Sequence, residues 1–105
     1  MEKISSLQNS RIKNIGKLSK NKERREQGLF VIEGARELSL ALMADYEIDS
    51  VFICPELFVK TDYPQVLASI PDDKLYEVTE AVFDKIAYRE GSDGLLTLAK
   101  PKSHT

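Results

Sequence analysis

Apolar residues recur along this chain in two rhythms. From Asn9 to Ser19, Ile12, Ile15 and Leu18 fall three apart with polar residues between, which predicts an amphipathic helix that Asn9 or Ser10 can cap. After Lys20, the run Asn21 to Gln27 permits helix but has no apolar face, and Gly28 supplies a stop. Leu29-Phe30-Val31-Ile32 is then a continuous apolar run, the pattern of a strand buried on both faces. Leu38, Ala41 and Leu42 mark a second amphipathic helix over Ala35 to Ala44. Val51-Phe52-Ile53-Cys54 predicts another buried strand, ended by Pro55, which has no N–H to give a ladder. Glu56 to Tyr63 reads as loop, Pro64 to Ser69 as a short helix capped by Asp62, and Pro71-Asp72-Asp73 as a turn. Leu75 to Val78 predicts a third strand, and Thr79 is placed to cap a helix over Glu80 to Tyr88. Gly91-Ser92-Asp93-Gly94 turns into a fourth strand, Leu95 to Ala99.

Strands alternating with helices imply a parallel or mixed sheet covered on both faces. With 105 residues, 42% of them hydrophobic, the chain has room for one domain with its own core. The expected organisation is a basic helical arm over 1–28, an α/β domain over 29–100 packed as one unit with that arm, and a linker beginning at 101–105. No uncharged apolar stretch approaches the ~20 residues that span a bilayer, and the charged N-terminus lacks a secretory apolar core. The single cysteine, Cys54, cannot make an internal disulfide, which fits a reducing, cytoplasmic setting and no membrane partner.

Charge changes the picture. The formal net charge is −2, but residues 1–26 carry eight basic groups against Glu2, Glu23 and Glu26, a local +5 that leaves −7 on the other 79 residues. At about 100° per residue, Lys13, Lys17, Lys20 and Arg24 fall on one face of a helical wheel, opposite Ile12, Ile15 and Leu18. A solvated helix face ordinarily mixes signs; this stripe contains no acid, and Arg11, Lys22 and Arg25 add charge at its margins. Such a face suits phosphate. Glu33, directly after an apolar strand, reads either as a carboxylate that pairs with a nearby Arg or favours the following helix N-terminus, or as an acid that orients Arg24, Arg25 or Arg36 toward an RNA phosphate or sugar. Tyr63, Tyr76 and Tyr88 read as half-buried packing residues rather than base-stacking platforms. Gly91 to Gly94 matches a G-x-x-G clamp only loosely, since Asp93 would repel phosphate, and reads as a turn. A lone His104 and a lone, strand-embedded Cys54 make neither a metal site nor a nucleophile with its base, and neither phosphate-cradling glycine motif occurs.

The residues from Ile4 to Lys13, then Leu18, then Arg24 to Arg36 resemble the N-terminal substrate-binding domain of SpoU-type RNA 2′-O-ribose methyltransferases, of the SPOUT class. The likeness continues through Val51-Phe52-Ile53, Val78 to Ile86 and Ala87 to Pro101, so it spans nearly the whole chain. Its most specific part is the R-x-x-x-G-x-F-x-x-E-G pattern from Arg24 to Gly34. The resemblance implies a kink-turn-binding, ribosomal-protein-like fold: a three-layer α/β/α sandwich with a small mixed sheet, preceded here by a basic N-terminal helix. It also implies a C-terminal knotted domain, outside these residues, that binds S-adenosylmethionine, dimerises and catalyses methyl transfer. On that reading this segment alone holds no cofactor and no catalytic residue and is a monomer, whereas the parent is a homodimeric enzyme. Asn9, Arg24, Glu33, Gly34 and Arg36 match the family motif, while Ser10 stands where proline is common and Asp93 where an acid or amide varies.

The expected function is recognition of structured rRNA or tRNA for ribose methylation by the chain's own C-terminal domain, through Asn9, Arg11, Lys13, Lys17, Lys20, Arg24, Arg25, Glu33 and Arg36. The alternative is a protein-interaction or assembly module whose basic arm only aids solubility.

Overall fold

The computed structural model describes residues 1–88 and 91–102. Glu2–Ile4 (β1), Phe30–Glu33 (β2), Glu47–Ile53 (β3), Leu75–Val78 (β4) and Leu95–Lys100 (β5) form one mixed sheet in the order β1-β4-β3-β5-β2. β4 runs parallel to both β1 and β3, while β5 runs antiparallel to its neighbours β3 and β2. Ser10–Lys17 (α1), Asn21–Gln27 (α2), Ala35–Met43 (α3), Pro55–Phe58 (α4) and Glu80–Ile86 (α5) complete the chain, with a tight helical turn at Asp72–Lys74.

The strands at the centre have no polar face. Leu95 to Ala99 are all buried, as are Ser50 to Ile53, so each side of the sheet needs a cover. On one side Ile12, Ile15 and Leu18 of the α1 segment and Val82, Phe83 and Ile86 of α5 close over Phe52, Tyr76, Val78, Leu96 and Leu98. On the other, Ala35, Leu38 and Ala41 of α3, with Val66 and Ile70, close over Ile32, Val51, Ile53, Leu95 and Ala99. The result is the expected α/β/α sandwich. Each fully buried Ile, Leu, Val or Phe contributes about 1.5–3 kcal/mol, and both layers have several. Asn9 and Thr79 cap their helices as expected, their side chains accepting from Arg11 N–H and Val82 N–H.

Four details differ from expectation. The sheet has a fifth strand, β1, because the N-terminal residues pair in parallel with β4, Ile4 opposite Val78. β3 begins upstream, at Glu47, through a bulge between Ile48 and Ser50. The segment after Cys54 is a helical turn started by Pro55 at its first position. Residues 64–69 are successive i→i+3 turns rather than a helix, with Val66 N–H to Tyr63 O at 3.1 Å and Ala68 N–H to Gln65 O at 3.1 Å. Lys102 lays its ammonium 5.2 Å from the Tyr46 ring centre. The rest of the expected linker, 103–105, lies outside the described residues.

Gly94 turns the chain into β5 at φ +79°, and a Cβ there would sit 2.7 Å from Leu57 Cβ and 2.8 Å from the Cys54 carbonyl oxygen. Neither neighbour can yield, since one is the root of a side chain and the other is backbone that accepts the Phe58 N–H at 2.9 Å. Gly94→Ala therefore costs about 2–4 kcal/mol, measured as a lower urea midpoint. A midpoint unchanged within error would mean the turn relaxes freely. Thr97 is fully buried between its register partners Ile32 and Val51, and its hydroxyl has no hydrogen-bond partner among the described residues. Thr97→Val keeps the shape and removes the orphan, so it should stabilise by about 1 kcal/mol, on the order of 5 °C in Tm. A fall in Tm would show that the hydroxyl is satisfied by solvent.

Candidate nucleic-acid interface

The candidate interface starts from how α1 is held. The Asn9 carboxamide accepts the Arg11 N–H at 2.9 Å, so Asn9 sets the start of the helix. The Arg11 guanidinium lies 4.5 Å from the centre of the buried Tyr76 ring, which stacks on Phe52 at 5.2 Å and 19°. With its apolar stripe in the core, α1 turns Lys13 and Lys17 to solvent. Neither lysine has a carboxylate within ion-pair distance among the described residues.

The continuous basic stripe expected from Lys13 to Arg24 is broken. The Ser19 hydroxyl donates to the Gly16 carbonyl at 3.0 Å, Leu18 closes the helix, and Lys20 is extended at φ −98°, ψ 134° before α2 begins. α2 then folds back on α1 through reciprocal amide bonds. Asn14 donates to Gln27 at 2.9 Å and Gln27 returns the bond at 2.8 Å, while also donating to Glu23 at 3.1 Å. Lys20 stays exposed in the connection and Arg25 stays exposed on α2, where Lys22 and Glu26 form a 4.0 Å pair one turn apart. Arg24 turns inward. Its guanidinium donates to the Leu18 carbonyl at 2.9 Å and to the Asn21 carboxamide oxygen, and so closes the end of α1.

Glu33 is tied to the backbone beyond α5. Its carboxylate accepts the Tyr88 main-chain N–H at 2.9 Å, which ties the end of β2 to the segment after α5. Gly34, at φ +106°, then turns the chain into α3, a conformation open to glycine and costly for any side chain. The first amide of α3 is already occupied, because Asp93 accepts the Ala35 N–H at 3.2 and 3.3 Å and the Thr61 hydroxyl at 2.8 Å. Arg36 follows on a helix that packs against the opposite side of the sheet from α1, and it lines a polar cleft of about 450 Å³ with Lys60, Thr61 and Asp93. The structure thus gathers Lys13, Lys17, Lys20 and Arg25 as exposed cations on the α1–α2 side, uses Asn9, Arg11, Arg24 and Glu33 as supports, and sets Arg36 apart.

Sequence reasoning missed a cleft of about 490 Å³ lined by Leu18, Ser19, Arg24, Phe30, Val31 and Tyr88. Tyr88 is 54% exposed, not half-buried, while its hydroxyl donates to the Ile15 carbonyl at 3.4 Å. Burial pushes its phenol above the ordinary tyrosine range, with the Arg24 charge pulling the other way and Glu33 adding to the rise, so it stays protonated at neutral pH. No signal in the sequence marks it, because the pattern runs the helix on to Tyr88 whereas α5 ends at Ile86.

Other chemistry is sparse among the described residues. No group of three or more His, Cys, Asp or Glu side chains could hold a metal ion, and no helix is long and apolar enough to cross a membrane. The buried Cys54 thiol donates to Glu56 at 3.4 Å, and burial together with that bond pushes its pKa up, away from nucleophilic use. His104 lies outside the described residues.

The family model described as the MRM3-like substrate binding domain matches residues 9–97. No curated protein matches the chain significantly. Among solved structures, an RNA 2′-O ribose methyltransferase matches with a TM-score of 0.82 and 35% identity over 98% of this chain and 39% of that one. An rRNA methyltransferase from Sinorhizobium meliloti matches with a TM-score of 0.77 and 24% identity over 98% of this chain and 38% of that one. The SpoU methyltransferase AviRb from Streptomyces viridochromogenes, solved in complex with the cofactor AdoMet, matches with a TM-score of 0.71 and 12% identity over 91% of this chain and 37% of that one. The last two likenesses are of fold. This chain spans about two fifths of the length of each of these proteins. On the family match and the sandwich it accompanies, the chain belongs to the MRM3-like substrate-binding domains.

Proposed function

We propose that this chain is the RNA-recognition domain of an S-adenosylmethionine-dependent RNA 2′-O-methyltransferase, holding structured rRNA or tRNA while a further domain methylates a ribose 2′-hydroxyl. The observation that carries this reading is the outer face of α1, where Lys13 and Lys17 stand in solvent with no carboxylate within ion-pair distance among the described residues, and Lys20 and Arg25 extend the charge. Cations left unpaired on a domain of net charge −2 give phosphate a local attraction that the acidic remainder does not offer, and each phosphate neutralised releases counterions. In this reading Lys13, Lys17, Lys20 and Arg25 meet the RNA backbone. Asn9, Arg11, Arg24 and Glu33 build the surface they stand on, and Arg36 takes part only with RNA that reaches across the sheet's end.

Neither the cleft beside Tyr88 nor that beside Arg36 suits S-adenosylmethionine. The cleft beside Tyr88 is walled by the Arg24 guanidinium, which repels a sulfonium cation, and the polar cleft beside Arg36 and Lys60 has no apolar slot for an adenine. On this proposal the methyl donor belongs to the further domain.

A second reading has one observation in its favour. α3 exposes Leu40 and Met43, the latter 80% accessible, beside an apolar groove of about 430 Å³ that includes Phe30 and Tyr46. That face suits a protein partner, and it lies across the sheet from α1.

Fluorescence anisotropy against folded rRNA and tRNA fragments over a salt series tests the RNA reading. With about four phosphates neutralised, log Kd should rise with log salt at a slope of about 3. The Lys13→Glu/Lys17→Glu variant, altered only at exposed positions, should keep its Tm, weaken binding by at least about tenfold and flatten the slope. Salt-independent binding, or binding indifferent to the reversal, would leave protein docking as the better account.

A further inference from the structure

We propose that the cleft between Tyr88 and Arg24 is a site for a single unpaired nucleobase, so that this domain selects looped or single-stranded RNA over uniform duplex. The inference rests on the RNA-binding reading and adds to it a specific pocket.

Tyr88 supplies the platform. The residue is 54% exposed, yet it is held by the Glu33 carboxylate on its main-chain N–H at 2.9 Å and its hydroxyl reaches the Ile15 carbonyl at 3.4 Å. A ring already held in place binds a flat partner without a further cost of ordering.

Arg24 supplies the polar edge. Its guanidinium is half-buried and anchored by two neutral acceptors, the Leu18 carbonyl and the Asn21 carboxamide, and no carboxylate lies within ion-pair distance of it among the described residues. Those two bonds use two of its five N–H donors. The remaining donors and the uncompensated charge favour a ligand with carbonyl acceptors and nearby phosphate. A base with an acceptor edge meets that description, guanine best, since arginine pairs with its O6 and N7. Val31, Phe30 and Leu18 add apolar walls, and about 490 Å³ is room for a nucleoside. Lys17 and Lys20 flank Leu18 and Ser19 in the chain, so a backbone tracking along α1 arrives at the cleft with its phosphates beside cations.

The test compares two RNA probes with the same number of phosphates, a hairpin with a guanine-containing loop and a blunt duplex, each bound to the full chain, Tyr88→Leu and Tyr88→Phe. The proposal expects the hairpin to bind roughly tenfold more tightly than the duplex, the preference to vanish in Tyr88→Leu, and Tyr88→Phe to retain it. A 2-aminopurine placed in the loop should be quenched on binding the full chain and Tyr88→Phe but not Tyr88→Leu, with unchanged circular dichroism as the control for folding. Equal affinity for both probes, or a hairpin preference that Tyr88→Leu leaves intact, overturns the base site while salt-sensitive binding still upholds the RNA reading. No binding of either probe overturns both.

Discussion

β5 has no side to give to water, and everything else in the fold answers to that. Leu95, Thr97 and Ala99 face one way, Leu96 and Leu98 the other, and all are buried. A sheet built around such a strand must be covered twice. α3 covers one side, and the other needs α1, whose Ile12 and Ile15 lie in the same core as Leu96, together with Leu18 at its end. The N-terminal segment is therefore a wall of the core. Its charge is held at a fixed orientation because its apolar face has nowhere else to go.

Much of this was legible in the sequence because it depends on short-range pattern. Continuous apolar runs marked the buried strands, three-residue spacing marked α1, and the side chains of Asn9 and Thr79 marked helix starts. What escaped depends on distant partners. β1 is three residues with one apolar position, and only its parallel pairing with β4 makes it a strand. The break after α1 is equally hard to see, since Gly16 and Ser19 are each tolerated in a helix, and it is their bond together with the burial of Leu18 that ends it.

That break sorts the cations of the arm into two kinds. On an unbroken helix Arg24 would continue the line of Lys13, Lys17 and Lys20. With the chain folded back, it meets the end of α1 and spends its planar donors on a backbone carbonyl and an amide. Arg11 likewise lies on an aromatic ring rather than in open water. The lysines, compact and strongly hydrated, gain nothing from such positions and remain outside. Of the arm's three arginines only Arg24 is carried into partial burial, where its fork of donors can be satisfied, while Arg25 stays outside with the lysines.

A competing location for an anion site deserved weight from the sequence, namely the end of β2 where Gly34 leads into α3. Helix starts at strand ends are common phosphate sites because their amides are unpaired and the helix dipole favours negative charge. Here the same physics has been satisfied from within. Asp93 takes the Ala35 amide and is steadied by Thr61, so a phosphate arriving there would have to displace a carboxylate held by three hydrogen bonds and would meet its charge at close range. On the other side of the sheet, no carboxylate among the described residues lies within ion-pair distance of Lys13 or Lys17. The −7 carried by residues beyond the first 26 makes the contrast sharper, because the net charge of the body opposes a polyanion while that of the first 26 residues favours it. With Asp93 closing the start of α3, the sign asymmetry of the composition argues for placing the proposed RNA contact on α1 rather than there.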